Sequence, residues 1–88
     1  MSKRESNDKN IQSACDLVVE RAAEMMVEEI GAPIEMMIDR MMTYAGAQMC
    51  VLDGNRKTAA ILRKLADNVE GGIFDAVTGE AARGRARH

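Results

Sequence analysis

The chain of 88 residues is long enough for one domain, and its 47% hydrophobic and 30% charged residues are typical of a folded protein rather than a disordered one. Its net charge of -2 argues against a dedicated nucleic-acid binder, whose surface is expected to be basic. Because no apolar run approaches the roughly 20 residues that span a bilayer, and no signal-peptide segment follows the first residues, we expect a cytoplasmic protein without a membrane segment.

The polar amino-terminal segment lacks periodicity, which predicts a disordered arm over residues 1–7. A first helix is predicted over residues 8–30, because apolar side chains recur there at the spacing of one helix face. Gly31 ends this pattern, and the connection to Pro33 is so short that the first two helices are predicted to form an antiparallel hairpin. The apolar face consists of Ile11, Ala14, Cys15, Val18, Val19, Ala22, Met25, Met26 and Ile30.

The outer side of the first helix carries an acidic ridge at four-residue intervals, which consists of Asp16, Glu20, Glu24 and Glu28. Like charges at this spacing repel each other by a few tenths of a kcal/mol per pair, and Arg21 alone offsets them. One interpretation is a solvated helix face. The other is a surface that binds a basic partner, either within the chain or outside it.

The stretch from Pro33 to Leu52 is the longest apolar run and predicts a second helix over residues 33–52. Pro33 suits the start of a helix, and Gly54 suits a left-handed residue just after its end. The predicted apolar face consists of Ile34, Met37, Ile38, Met41, Ala45, Met49 and Leu52, with Met42 and Tyr44 on its flanks. The opposite face carries Arg40, shows no charge after it and presents small residues instead. A helix of this kind is expected to be covered on both sides, which predicts a dimer interface on the small-residue stripe Thr43, Gly46, Ala47 and Cys50.

A third helix is predicted over residues 55–70, with Ile61, Leu62, Leu65, Ala66 and Val69 inward. Its outer side carries a basic face formed by Arg56, Lys57, Arg63 and Lys64. This face is predicted either to complement the acidic ridge or to contact phosphates, although Arg63 and Asp67 at i and i+4 indicate that part of it is solvated.

The carboxy-terminal part of the chain follows two adjacent glycines, Gly71 and Gly72, which end the third helix. Ile73, Phe74 and Val77 form a short apolar extension, for which the sequence leaves open whether it is a fourth helix. The Arg-rich residues 79–88 are predicted to be a disordered tail.

Signatures of enzyme chemistry, cofactor binding or metal binding are absent from the sequence. The histidine is the terminal His88, and no Gly-rich phosphate loop occurs, so no catalytic group can be placed in a pocket. The chain is methionine-rich, and thioethers can bind Cu(I). However, adjacent methionines in a helix diverge by about 100° and cannot converge on one ion. Met36, on the polar side, is predicted to be exposed to a partner, and Cys15 and Cys50 are interpreted as reduced small hydrophobes.

These patterns predict an all-α fold, an antiparallel three-helix bundle that forms a homodimer because its apolar arcs are wider than one small bundle needs. We expect a small non-enzymatic interaction protein of the adaptor, antiactivator or inhibitor type, which docks helical faces on an unknown protein partner. Small bacterial or phage regulatory proteins are often of this kind, but no motif identifies a family. The alternative is a nucleic-acid-associated protein that uses the basic face and the tail residues Arg83, Arg85 and Arg87.

Overall fold

A computed structural model describes residues 3–80 of the chain, and the side chains of residues 6–80. Within this range the protein is almost entirely helical and contains no strand, so the predicted all-α class is confirmed. The helices are α1 (Lys3–Glu24), which continues into a π-helical turn (Met25–Glu29), α2 (Ile34–Asp53), α3 (Asn55–Gly71) and the short α4 (Asp75–Thr78). The chain divides into two compact units between Ala45 and Gly46.

In the first unit, α1 begins at Lys3 and includes residues 3–7 of the predicted arm. The sequence prediction placed the start at residue 8 because it relied on apolar periodicity, which the first turns lack. Lys, Arg and Glu are nevertheless good helix formers, so this segment can extend the helix without an apolar face. Met1, Ser2 and the tail residues 81–88 lie outside the described part of the chain, and the predictions for them stay predictions.

The predicted first helix also differs at its carboxy-terminal end, where the α-helical part ends at Glu24 instead of Ile30. The next residues form a π-helical turn in which the Ile30 N–H donates to the carbonyl of Met25 at 3.1 Å. Gly31, with a φ of 82°, then ends the helical segment as predicted. Short π-helical turns occur frequently at functional sites, and no feature of the sequence predicts this one.

Beyond this turn, the part of α2 that belongs to the first unit (residues 34–45) lies opposite the end of α1 and the π-helical turn. Close to the connection, Val27 of the π-helical turn lines a cavity together with Met37 of α2. Further along, Val18 and Met41 line a second one. In this order, earlier residues of α1 lie opposite later residues of α2. The antiparallel hairpin, the three-helix bundle and the dimer stay predictions.

In the second unit, a single residue connects α2 to α3. The Gly54 N–H donates to the carbonyl of Cys50 at 2.9 Å, and the Gly54 carbonyl accepts from the Thr58 N–H at 3.1 Å, so Gly54 belongs to the last turn of one helix and the first of the next. Its φ of 87° and ψ of 162° lie in a backbone region that glycine alone adopts readily. The sequence predicts a left-handed residue here; the φ is positive as expected, but the ψ lies outside the left-handed helical region.

The end of α3 is also marked by glycine. Gly72 is left-handed, with a φ of 107°, and its N–H donates to the carbonyls of Asn68 and Val69. The apolar extension that follows contains one helical turn, α4, which is closed by Gly79 with a φ of 75°. The structure thus answers the question that the sequence left open about residues 73–78.

Burial in this structure is exceptionally low. No hydrophobic side chain within the described range is buried, and the buried residue there is Thr58, which is 3% exposed. Side chains that the helical pattern predicts as inward, such as Ile38 and Leu65, are exposed in the single chain. The prediction that these side chains form a core within one chain is therefore wrong for the described residues, because each helix leaves its apolar side exposed.

Candidate interaction surfaces

An open groove of about 570 Å³ lies between α1 and α2 in the first unit. Its lining consists of Val18, Val19, Ala22, Met26, Arg40, Met41, Tyr44 and Ala45, so all but one of its side chains are apolar or aromatic. Val18 is 66% exposed and Tyr44 is 70% exposed. Contiguous exposed apolar surface of this kind is typical of protein interaction sites.

The charged side chain of this groove is Arg40, whose charge is balanced locally. Its Nη2 lies 3.2 Å from Oδ2 of Asp39 and donates to Oγ1 of Thr43 at 3.1 Å. Both members of the ion pair are well exposed, so the pair contributes at most about 1 kcal/mol to stability. Its main effect is to hold the guanidinium beside an opposite charge on α2.

The acidic ridge of α1 borders different cavities. All four of its residues are exposed, and none of them lines the groove. Glu24 and Glu28 instead line a cavity of about 250 Å³ beside Ile34 and Met37 of α2. They also border a depression of about 150 Å³ at the π-helical turn, together with Arg21. The ridge thus presents carboxylates to solvent next to apolar side chains.

The small-residue stripe on α2, which the sequence predicts as a dimer interface, is divided between the two units. Thr43 is exposed in the first unit, where its hydroxyl accepts from Arg40. In the second unit, Ala47 is exposed and Gly46 and Cys50 are half-buried. A Cβ atom added at Gly46 would meet nothing within 4 Å. The small residues of this stripe would permit another helix to approach closely, and the structure leaves that space open at Gly46.

The basic face of α3 is exposed at all four predicted positions, Arg56, Lys57, Arg63 and Lys64. Nζ of Lys57 lies 3.7 Å from Oδ1 of Asp53, four residues earlier. Such an exposed helical pair contributes about 0.3 to 0.5 kcal/mol and leaves the cation accessible. The predicted pairing of this face with the acidic ridge stays a prediction.

Two further predictions concern sulfur. Met36 is exposed on α2, as the sequence predicts for a methionine on the polar side. Cys15 is exposed, Cys50 is half-buried, and both are free thiols in this structure. Across residues 3–80, no three His, Cys, Asp or Glu side chains come together in a group that could hold a metal ion.

Sequence reasoning identified most of the groove residues, but as core. Val18, Val19, Ala22, Met26, Met41 and Ala45 all lie on the predicted apolar faces. Tyr44 was placed on a flank and Arg40 on the polar side, and the structure brings both to the edge of the groove. The buried Thr58 was not singled out, because nothing in its neighbourhood of the sequence distinguishes it from an exposed helical threonine.

Comparisons with protein-family models, curated proteins and solved structures found no match to this chain. Within residues 3–80, none of the helices has the length and apolar character needed to cross a membrane. Any functional interpretation therefore depends on the surfaces described above.

Proposed function

We propose that this chain is a small, non-enzymatic helical interaction protein that self-associates and docks helical faces on a protein partner. The observation that carries this proposal is the absence of any buried hydrophobic side chain among the described residues. Apolar burial is the dominant favourable term in folding and association. A chain that leaves its apolar faces uncovered gains most of its stability from another chain.

The proposed dimer includes α2, where Thr43, Gly46, Ala47 and Cys50 permit close approach of a second helix. The open space beside Gly46 supports this part of the proposal. Charged surfaces would then remain available for a different protein. We propose that a partner protein binds the acidic ridge through a basic segment. Complementary charge at such a contact increases the association rate and excludes wrong partners.

Self-association can be tested by light scattering combined with thermal unfolding at several protein concentrations. We expect twice the mass of one chain and a Tm that increases with concentration, because a dimer that binds only the folded state stabilises it by mass action. A stable helical monomer at high concentration, with a Tm independent of concentration, would contradict the proposal.

A second candidate function is supported by the exposed basic face of α3, whose four cations can contact phosphates. A nucleic-acid binder loses affinity with salt at a log-log slope of about -0.9 per phosphate contact on duplex DNA. We expect the full chain to show only weak, non-specific binding at physiological salt. Tight binding to one sequence that disappears in the double variant Arg56→Ala, Arg63→Ala would instead favour this function, with Asp67→Ala as the control.

A further inference from the structure

We propose that the groove between α1 and α2 is the surface on which a second copy of this chain docks, groove against groove, so that two hairpins form a four-helix bundle. This inference depends on the proposed self-association and assigns its location. The sequence placed the dimer interface on the small-residue stripe of α2. The groove is a different surface, built from the facing sides of both helices.

The distribution of charge around the hairpin favours a second copy as the occupant. In a two-fold symmetric interface the same patch lies on both sides, so any net charge in it meets an equal charge on the partner. Like charges in such a position are unfavourable by several kcal/mol. The groove avoids this penalty because its one ionised side chain, Arg40, lies beside Asp39.

The remainder of the first unit is unsuited to self-pairing. Residues 3–45 contain nine acidic and five basic side chains, a net charge of -4. The acidic ridge accounts for four of these acids, and none of its residues lines the groove. A second copy that binds through the groove therefore keeps the two ridges out of the interface. A basic partner protein would find little electrostatic complement in the groove itself.

The size and shape of the lining also fit a four-helix bundle. Along α1 and the π-helical turn that continues it, the lining extends from Val18 to Met26, which is about 12 Å at the rise of an α-helix. Small side chains, Ala22 and Ala45, alternate with large ones such as Tyr44, and facing positions of unequal size allow two layers to interdigitate. Tyr44 can bury its ring in a partner groove while its hydroxyl remains at the wet edge.

The experiment uses charge reversal in the full chain, with Val18→Glu and Val18→Lys prepared separately. Val18 is largely exposed, so either charge is tolerated in a free chain but is unfavourable when two copies meet through the groove. We expect each variant alone to dimerise at least tenfold more weakly than the wild type. We expect a one-to-one mixture to form a heterodimer, because opposite charges now face each other across the interface. Light scattering and native mass spectrometry measure the dimerisation of each variant alone and the heterodimer in the mixture.

The matched control is Leu17→Glu, on the neighbouring residue. Leu17 is 47% exposed, lies about 100° around α1 from Val18 and does not line the groove. We expect this variant to dimerise like the wild type. Rescue by mixing also separates loss of the interface from failure to fold, because a charge that only unfolds its own chain is not repaired by a second variant.

Three results would overturn the assignment. If the Val18 variants dimerise like the wild type, or if Leu17→Glu weakens the dimer equally, the copies meet through another surface, and the proposed self-association stands without this location. If both Val18 variants are weakened but the mixture forms no heterodimer, the groove is not the contact. If the wild type itself is a stable monomer, the inference and the proposed function both fail.

Discussion

The two units of the chain use amphipathic helices in different ways. The first unit places two apolar faces opposite each other across an open groove and concentrates acidic side chains on the outside. The second unit contains the basic face of α3 and buries one polar residue, Thr58. We propose from this difference a division of roles, in which the uncharged surface serves self-association and the charged surfaces serve partners.

The two helix connections show a related contrast. Four residues (30–33), among them Gly31, join the π-helical turn to α2, whereas Gly54 alone joins α2 to α3. Both glycines have a positive φ, so each connection depends on a backbone conformation that other residues adopt with strain. The following predictions test first the uncharged interface, then the connection at Gly54, and finally the buried threonine.

The largest effect separates the small-residue stripe of α2 from the groove as the dimer interface, and the variant that tests this is Ala47→Glu. If the second copy packs against the stripe, the substitution buries an unpaired charge, which typically costs about 3 to 5 kcal/mol. Light scattering and circular dichroism would then show release of monomer or loss of helical structure, whereas a dimer that forms groove against groove stays intact. Met42→Glu, an exposed position on another side of α2, is the control and should leave the dimer intact. If the Ala47→Glu variant dimerises like the wild type, the stripe is not part of the interface.

The next effect is expected from Gly54→Ala. Because Gly54 occupies a region of φ and ψ that is accessible essentially to glycine alone, a Cβ atom introduces strain of about 1 to 3 kcal/mol. The free energy of unfolding, measured with chemical denaturant at a fixed protein concentration, should decrease by that amount. Unchanged stability would show that the connection adopts another conformation.

The matched control for that substitution is Gly46→Ala, within α2. Nothing lies within 4 Å of its added Cβ atom, and alanine has a better helix propensity by about 1 kcal/mol. The helix should therefore become more stable. If dimer affinity falls at the same time, a second chain approaches Gly46 closely, and the stripe is part of the interface.

Much of the fold follows from sequence alone, because its signals are local. Glycine positions mark the ends of the helices near Gly31, Gly54 and Gly72, and apolar spacing identifies the helix faces. The start of α1 was misplaced, because its first turns are helical by propensity and carry no apolar face. The π-helical turn has no sequence signature. Whether the apolar faces close on one chain or on two depends on long-range packing, which periodicity does not encode.

The candidate surfaces, like the fold, could be predicted from the sequence only in part. The exposed positions of the acidic ridge, the basic face and Met36 could be predicted, since a charged or polar helix side normally faces solvent. The groove could not be predicted as a groove, because its residues have the same pattern as a filled core. Only the relative placement of α1 and α2 distinguishes these two outcomes, and two helices of this composition can be closed by a third helix or by another chain.

The smallest effect, and the one that tests the second unit, is expected from Thr58→Val. Thr58 is buried, and its Oγ1 has no hydrogen-bond partner, so the hydroxyl loses its hydration without compensation. An unsatisfied buried group of this kind costs about 1 to 3 kcal/mol. Valine has nearly the same shape and a similar helix propensity. We therefore expect the free energy of unfolding to increase by about 1 kcal/mol, measured with chemical denaturant at the concentration used for the wild type.

Thr58→Ser, which keeps the hydroxyl and removes the methyl group, should instead destabilise the protein by about 1 kcal/mol. If Thr58→Val is the destabilising variant and Thr58→Ser is neutral, the hydroxyl has a partner in solution, and the polar group at this connection contributes to stability rather than reducing it.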